Sequence, residues 1–229
     1  MCRHGDERGP KVESVAAIGA ISWAGRRAQR VAAEIATQGE ASVAPFRLAY
    51  VRGVTPAKWA RIWEERMRRV PLELLRVDEP DQIAVLRDGH ADMSLVRLPI
   101  DREGMHAIPL YEEQPVVVVP KDHAIAAADE VSLAEVRELA EPVHPFDPQV
   151  EDTLALVAAG VGCMVLPQSV ARLHARRDLA ARPVTDADPT AIALAWLSDP
   201  TPARTESEQY RIDTFIGIVR GRTSNSSRR

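Results

Sequence analysis

Three polar residues in the second half of the chain offer the atoms of a hydrolase triad. His144, Asp147 and Ser169 could act as base, orienting acid and nucleophile. The activated serine of an α/β hydrolase stands in a Gly-x-Ser-x-Gly turn, and the sequence contains no such turn. The sequence therefore predicts that the protein is not an enzyme.

The residue types that bind metals and cofactors do not cluster along the sequence. The six histidines are scattered, and neither a Cys-x-x-Cys pair nor a Gly-x-Gly-x-x-Gly loop occurs. Cys163 lies in an apolar run and is expected to be a buried small hydrophobe, without a disulfide to Cys2. We therefore expect no metal and no cofactor.

The loop at 52–55 is the first candidate ligand-binding site. It comprises Arg52, Gly53, Val54 and Thr55, directly before a helix predicted to begin at Pro56. The free N–H groups and partial positive charge of a helix start can hold a carboxylate, and Thr55 adds a hydroxyl group. The alternative is that Thr55 only caps the helix.

Charged residues at two further predicted strand ends are also candidates. Arg97 could pair bidentately with an anionic ligand, or form an ion pair with Asp101 or Glu103 instead. Asp78 and Glu79 would discourage an anion and could receive a cationic or hydroxylated ligand. The alternative for these two acids is a solvated loop.

The segment at 144–147 supplies the last candidates, His144 and Phe146. His144 could sense pH or donate a hydrogen bond to a ligand. A histidine with a purely structural role is the alternative. Both residues are predicted to face the same site from the second half of the chain.

Three strands in the first half must position these residues. The apolar segments Phe46–Val51, Leu72–Val77 and 92–98 alternate with helical patterns, which predicts parallel strands joined by right-handed crossovers. Ligands of such sheets bind beyond the carboxyl ends of the strands. The candidate residues at 52–55, 78–79 and 97 occupy those ends.

The second half of the chain contains another set of strands and helices. The uninterrupted apolar run Pro115–Pro120 predicts a strand buried on both faces. A capping box begins a helix at Ser132, and further helices are predicted at 153–159 and 168–176. Strands at 161–166 and 191–197 and a final amphipathic helix complete the pattern.

The charge balance and hydropathy exclude two classes of protein. The chain has 29 Lys and Arg against 33 Asp and Glu, whereas a dedicated nucleic-acid binder is usually basic. It has no run of about 18 apolar residues, so we expect no membrane span. Two cysteines among 229 residues are typical of a reducing compartment, and the prediction is a cytoplasmic protein.

Several segments resemble the effector-binding domain of LysR-type transcription regulators. They include the opening strand at 46–50, Leu86 to Leu95, the valine-rich strand followed by Lys121-Asp122-His123, and the helix start at 131–136. The stretch from Thr153 to Pro167 is the closest match, because it places a helix, a glycine corner and a strand ending in proline in that order.

The resemblance covers 46–222 and implies an α/β fold of the two-lobed, periplasmic-binding-protein-like (type 2) class. It implies mostly parallel sheets flanked by helices, with lobe I at 46–113 and 192–222 and lobe II at 114–191. Effectors of the family bind in the cleft between the lobes, and its domains commonly pair side by side. The predicted partners are a small-molecule effector and either a second copy or a full-length regulator of this type.

Two departures from the family pattern affect the functional prediction. The residues before Pro45 are too few for a winged helix-turn-helix and its linker helix; we expect a disordered start, one helix at 18–38 and a flexible tail at 223–229. The second lobe is predicted to be short between Phe146 and Val150.

The main prediction is a domain that senses an anionic metabolite and regulates transcription by self-association or through a DNA-binding partner. The alternatives are a diverged regulator that binds DNA through its N-terminal helix and an enzyme on the same fold.

Overall fold

The structure, a computed structural model, describes residues 43–221, so the predictions for the N-terminal region and for the tail lie outside the described residues. Within that range the strands are β1 (Phe46–Val51), β2 (Leu72–Val77), β3 (Met93–Leu98), β4 (Met105–Glu113), β5 (Pro115–Pro120), β6 (Val143–His144), β7 (Cys163–Pro167), β8 (Leu179–Pro183) and β9 (Thr190–Leu197). The α-helices are α1 (Ala57–Arg66), α2 (Ala84–Arg87), α3 (Leu133–Leu139), α4 (Val150–Ala158), α5 (Gln168–Leu173) and α6 (Glu206–Val219). Short 3₁₀ helices span Glu79–Asp81 and Ala124–Ala127. None of these helices is long and apolar enough to cross a bilayer.

The first sheet has the strand order β2-β1-β3-β9-β4. β1 pairs in parallel with both β2 and β3, as the alternation of strands and helices predicts. One face of the sheet packs against α1 and α6 through three stacked or tilted aromatic rings. Phe46 lies 4.5 Å from Trp63 and 5.6 Å from Phe215, measured between ring centroids. This aromatic core holds the parallel strands and their carboxyl ends in place.

The second sheet has the strand order β6-β7-β5-β8 and is buried on both faces. Val116 and Val118 of β5 pack towards α4 and α5, whereas Val117 and Val119 pack towards α3 on the opposite face. A central strand with this burial needs apolar residues at every position. The prediction of a buried strand at Pro115–Pro120 is confirmed.

The prediction of mostly parallel sheets is wrong in detail. In the part of the chain that the structure describes, β1–β2, β1–β3 and β6–β7 are parallel, but β3–β9, β4–β9, β5–β7 and β5–β8 are antiparallel. Two of the four antiparallel pairs involve β4 and β8, which the sequence patterns did not reveal. β9 also enters the first sheet in the reverse direction after the chain returns from the second sheet.

Two connections join the sheets. The chain leaves the first sheet at the end of β4, and Gln114 alone separates that strand from β5. It returns between the end of β8 and the start of β9. Glu113 and Thr190, which end β4 and begin β9, are paired in register and mark where the two connections run side by side.

Candidate functional site

The parallel strands bring the charged residues of their carboxyl ends together. Val51 and Val77 are paired in register, so the residues that follow them meet at one edge of the sheet. The Nε atom of Arg52 donates to Oδ1 of Asp78 at 3.0 Å. The structure thus joins two sequence-predicted site residues in an ion pair.

Arg97 is the most deeply buried charged residue of this edge, with 4% of its surface exposed. Its Nε atom donates to Oε2 of Glu113 at 2.8 Å, and its Nη1 atom donates to Glu79. Its Nη2 atom donates to the carbonyl oxygen of Arg52 at 3.0 Å. The Gln82 side chain bonds both the N–H and the carbonyl group of Arg97, which fixes the backbone beneath the guanidinium.

The ion pairs considered for Arg97 from the sequence were the wrong ones. Asp101 pairs with Arg87 at 2.6 Å and also accepts the backbone N–H of Glu103. Arg97 instead finds its partners on two other segments of the lobe. A buried guanidinium needs this full pairing, because an unpaired charge in the interior is strongly destabilising.

Glu113 is the residue of the site that sequence reasoning missed. It ends β4, is 5% exposed, and accepts hydrogen bonds from Ser169 as well as from Arg97. Thr190 reaches the same carboxylate at 3.5 Å. The residue was missed because β4 carries Pro109 and several charges, a pattern that does not read as a strand. Its position directly before the valine-rich β5 was the available signal.

The loop after β1 touches the start of α5 across the gap between the sheets. Gly53 has a φ of +84°, and a Cβ atom placed on it would overlap the Oγ atom of Ser169. Glycine is therefore required twice, for the turn and for the close approach. Ser169, which also donates to Glu113, forms the second contact between the two sheets at this point.

The other residues of the 52–55 loop have simpler roles than predicted. Val54 is 5% exposed and belongs to the aromatic core of the first sheet. Thr55 is exposed, and Pro56 rather than Thr55 occupies the N-cap position of α1. The predicted cap is therefore displaced by one residue, because the helix begins at Ala57.

The two candidates from the second half of the chain have different surroundings. The Phe146 ring lies 5.8 Å from the Arg97 Cζ atom, a distance that allows a cation–π contact. His144 lies in β6, and its Nε2 atom is 2.9 Å from the carbonyl oxygen of Val161. Phe146 thus joins the charged site, whereas His144 is engaged with the strand connection of its own sheet.

The triad considered from the sequence is not assembled. The Ser169 hydroxyl donates to Glu113, and His144 is bonded to Val161. The Oδ1 atom of Asp147 is buried without a hydrogen-bond partner. A serine that donates to a carboxylate already paired with Arg97 has no base to activate it.

A second ion pair reaches across the gap towards α4. The Nη1 atom of Arg52 lies 3.8 Å from Oε1 of Glu151, and Nδ1 of His174 lies 3.7 Å from the same oxygen. Burial lowers the pKa of His174, so the ring is neutral at pH 7 and does not contribute a charge there.

The charges of this edge do not favour an anion. Two guanidinium groups, of Arg52 and Arg97, are paired with four carboxylates, which belong to Asp78, Glu79, Glu113 and Glu151. An anionic ligand would have to displace a carboxylate that the chain itself supplies. The prediction that Arg97 recruits an anion is therefore not supported by its surroundings, and the alternative of a cationic or hydroxylated ligand is favoured.

The class of the protein follows from three features: two β-sheets flanked by helices, two segments that connect them, and a polar gap at the ends of the parallel strands. This is the two-lobed architecture of type 2 periplasmic-binding-protein-like domains, and solved structures support it. An OxyR cysteine mutant from Corynebacterium glutamicum has a TM-score of 0.60 at 20% identity, covering 93% of this chain and 76% of its own. The regulatory domain of an OxyR cysteine mutant from Pseudomonas aeruginosa has a TM-score of 0.59 at 20% identity, covering 79% of this chain and 100% of its own.

Sequence comparison finds a similarity to one family over part of the chain. Residues 56–141 match the LysR substrate binding domain. A probable hydrogen peroxide-inducible genes activator of Mycobacterium avium is 25% identical over 70% of this chain and 57% of its own length. The HTH-type transcriptional regulator CatR of Pseudomonas putida is 25% identical over 53% of each chain. Part of the chain thus resembles a LysR substrate binding domain, and the chain spans about half the length of these curated relatives.

The curated relatives are named as an activator of hydrogen peroxide-inducible genes and as a transcriptional regulator, so the similarity is to proteins that regulate transcription. The name of the mycobacterial relative refers to peroxide, which a reactive thiolate could detect. Cys163, the cysteine within the described range, is fully buried in β7, and burial raises its pKa to about 11. Cys163 therefore stays a protonated, shielded thiol at neutral pH.

Proposed function

We propose that this domain senses a cationic or hydroxylated small molecule in the cleft between its two sheets and regulates transcription. The observation that carries the proposal is the chain of contacts Arg97–Glu113–Ser169, which links the carboxyl edge of the first sheet to α5 of the second. A ligand that competes for these groups would alter the spacing of the two sheets. Such a change is a signal that a partner chain can detect.

The ligand contacts that we propose are Arg52, Gly53, Asp78, Glu79, Arg97 and Phe146. Asp78 and Glu79 are partly exposed carboxylates at the edge of the paired cluster, so they can accept hydrogen bonds from an ammonium or hydroxyl group. Phe146 offers an apolar face beside them. The lobes would be those predicted from the sequence, with the hinge at the two connecting segments.

We further propose that the domain works in the cytoplasm, without chemistry of its own, as a pair of copies or beside a full-length LysR-type regulator. The support is the family match and the structures of related regulators. One of these, full-length CbnR, was solved in complex with its target DNA; it has a TM-score of 0.59 at 17% identity and covers 89% of this chain and 81% of its own. Direct DNA binding by this chain is not part of the proposal.

A thermal-shift screen tests the ligand class. Putrescine, agmatine, glucosamine and sorbitol are compared with succinate and citrate. A compound that binds at a hundredfold excess over its Kd stabilises the fold by about 2.7 kcal/mol, which raises Tm by about 5–10 °C for a domain of this size. We expect such a shift from an amine or polyol and none from the acids.

The variant Glu79→Gln locates the binding compound. It removes one carboxylate but leaves Arg97 paired with Glu113, so the fold is kept. The Kd of the amine or polyol should rise at least tenfold, whereas the exposed-site control Glu130→Gln should leave it unchanged. The absence of a shift with every compound contradicts the sensing proposal, and an Arg97-dependent shift with succinate or citrate contradicts the ligand class.

A further inference from the structure

A groove of about 640 Å³ lies at the opposite edge of the first sheet from the cleft. It is lined by the start of β1, the turn before β3, the segment after β9 and the first half of α6. Its apolar backing comes from the buried side chains of Phe46, Leu86 and Ile212. Its volume falls within the range of about 300–1,000 Å³ that is usual for small-molecule sites.

Four arginines line the groove, and two of them are already neutralised. Arg47 forms an ion pair with Asp92 at 3.0 Å, and Arg87 forms one with Asp101 at 2.6 Å. Both form ordinary surface ion pairs, so their charge is neutralised without a ligand. Their pairing is the standard against which the other two arginines of the groove are compared.

Within residues 43–221, the hydrogen-bond partners of Arg204 and Arg211 are carbonyl oxygens. The Nη2 atom of Arg204 donates to the Leu197 carbonyl oxygen at 2.8 Å, and Nη1 of Arg211 donates to that of Ala44 at 3.0 Å. The Nε atom of Arg211 is buried without a hydrogen-bond partner. Among residues 43–221, no carboxylate forms an ion pair with either guanidinium.

Asp92, Glu208 and Asp199 lie close enough to attract the Arg204 guanidinium. None of them forms an ion pair with it within residues 43–221, and Asp92 is already paired with Arg47. The Oε2 atom of Glu208 accepts both the backbone N–H and the hydroxyl group of Thr205 in the capping box of α6. Burial lowers the pKa of Arg204, because the desolvated cation is not fully compensated. A carbonyl dipole orients a guanidinium but does not neutralise it, whereas a carboxylate does both through a bidentate pair.

We propose that this groove is a second ligand site, which binds a small organic carboxylate with an apolar body. The carboxylate would lie between Arg204 and Arg211, and the apolar body would cover the aliphatic and aromatic backing. This preference is opposite to that of the cleft, where the arginines are saturated by the protein's own acids. The site does not depend on the proposed function of the cleft.

Isothermal titration calorimetry of the full chain with phenylacetate tests the groove, and 2-phenylethanol serves as the uncharged analogue. We expect saturable 1:1 binding of phenylacetate and at least tenfold weaker binding of the alcohol. Arg204→Gln and Arg211→Gln should each weaken phenylacetate binding at least tenfold. Arg176→Gln, which removes an exposed arginine paired with Asp178, should leave the Kd within twofold.

A variant that blocks the groove without unfolding the protein controls for loss of binding through misfolding. Ala203 is an exposed residue of the groove lining, so Ala203→Trp should fill the groove, abolish binding and leave Tm unchanged. Phenylacetate binding that survives Ala203→Trp and both arginine variants would overturn the proposal. So would equal binding of the alcohol, no binding at all, or binding that is lost only in the cleft variant Glu79→Gln.

Discussion

Two arginines at the carboxyl edge of the first sheet differ from two at its amino edge in what neutralises their charge. At the carboxyl edge, Arg97 is buried and held by two carboxylates, and Arg52 is paired with Asp78. At the amino edge, Arg204 and Arg211 donate to carbonyl oxygens and form no ion pair with a carboxylate of the described residues. The same residue type therefore serves as part of the architecture at one edge and as an incompletely satisfied cation at the other.

This difference shows that an arginine in a cleft is not by itself evidence for an anionic ligand. What matters is whether the protein has already supplied the counter-charge. The sequence revealed Arg97 but not Glu113, and the missing partner reversed the expected ligand preference of the site.

The largest expected effect is the loss of Arg97. Arg97→Met leaves Glu113 buried beside Ser169 without its cation, which should cost about 3–5 kcal/mol of unfolding free energy. Arg204→Met leaves no buried carboxylate without its cation. It should lower the unfolding free energy by about 1 kcal/mol or less, the usual value of a lost hydrogen bond. Urea denaturation of both variants measures the contrast.

The double variant Arg97→Met/Glu113→Gln sharpens the same comparison. It removes both charges of the buried pair, so it should recover most of the stability lost in Arg97→Met. Equal stability losses for Arg97→Met and Arg204→Met would contradict the distinction between the two edges.

Glycines at the two edges provide the next contrast. Gly53 and Gly89 both have a positive φ, of +84° and +70°, but only Gly53 has a neighbour within 4 Å of an added Cβ atom. Gly89→Ala should cost about 1–2 kcal/mol for the left-handed backbone alone. Gly53→Ala should cost about 1–3 kcal/mol more, because the new methyl group overlaps Ser169.

The excess should depend on the contact between the sheets. Ser169→Gly removes the overlapping side chain and also the hydrogen bond to Glu113, so its own variant is the reference: Gly53→Ala should cost only the backbone amount when it is added to Ser169→Gly. Similar unfolding free energies for Gly53→Ala and Gly89→Ala would show that the loop and α5 do not meet closely in solution.

The smallest effects are expected from pH. The pKa of His174, near the cleft, is lowered by burial, so its neutral form stabilises the fold above the ordinary value of 6.5 and this contribution falls as pH drops below it. The pKa of Glu208, at the groove, is lowered by hydrogen bonds from Thr205, so its contribution is fully present above 4.5 and is lost at lower pH.

Thermal unfolding between pH 3 and 8 separates the two titrations. His174→Gln should flatten the profile below pH 6.5 but above the carboxylate titrations, and Glu208→Gln should flatten it below pH 4.5. A profile that His174→Gln leaves unchanged at every pH would place its ring in solvent, because an exposed histidine has the same pKa in the folded and unfolded states.

Much of the fold was predictable, because it depends on patterns that are local in sequence. Parallel β1, β2 and β3, the buried β5 and the capping box at Ser132 follow from apolar runs, turn residues and caps. The strands β4 and β8 were missed, since neither has an uninterrupted apolar run or clear alternation. Their absence from the prediction explains two of the four antiparallel pairs; the other two, β3–β9 and β5–β7, join predicted strands whose relative direction the local pattern does not encode.

The site was predictable only in part, because its partners are distant in sequence. The strand-end rule located Arg52, Asp78, Glu79 and Arg97 correctly along the edge. The contact of Gly53 with Ser169 depends on how two sheets approach one another, which no local pattern encodes. The pairing of Arg97 with Glu113 likewise required the unrecognised β4.

Hydrogen–deuterium exchange tests the cleft most directly. With the stabilising amine or polyol bound, the amides at 52–55 and those of Gln168–Leu173 should become protected together, because they face one another across the proposed site. The segment at 198–204, which borders the groove, should exchange unchanged. Protection confined to one sheet, or found at 198–204 alone, would contradict binding between the sheets.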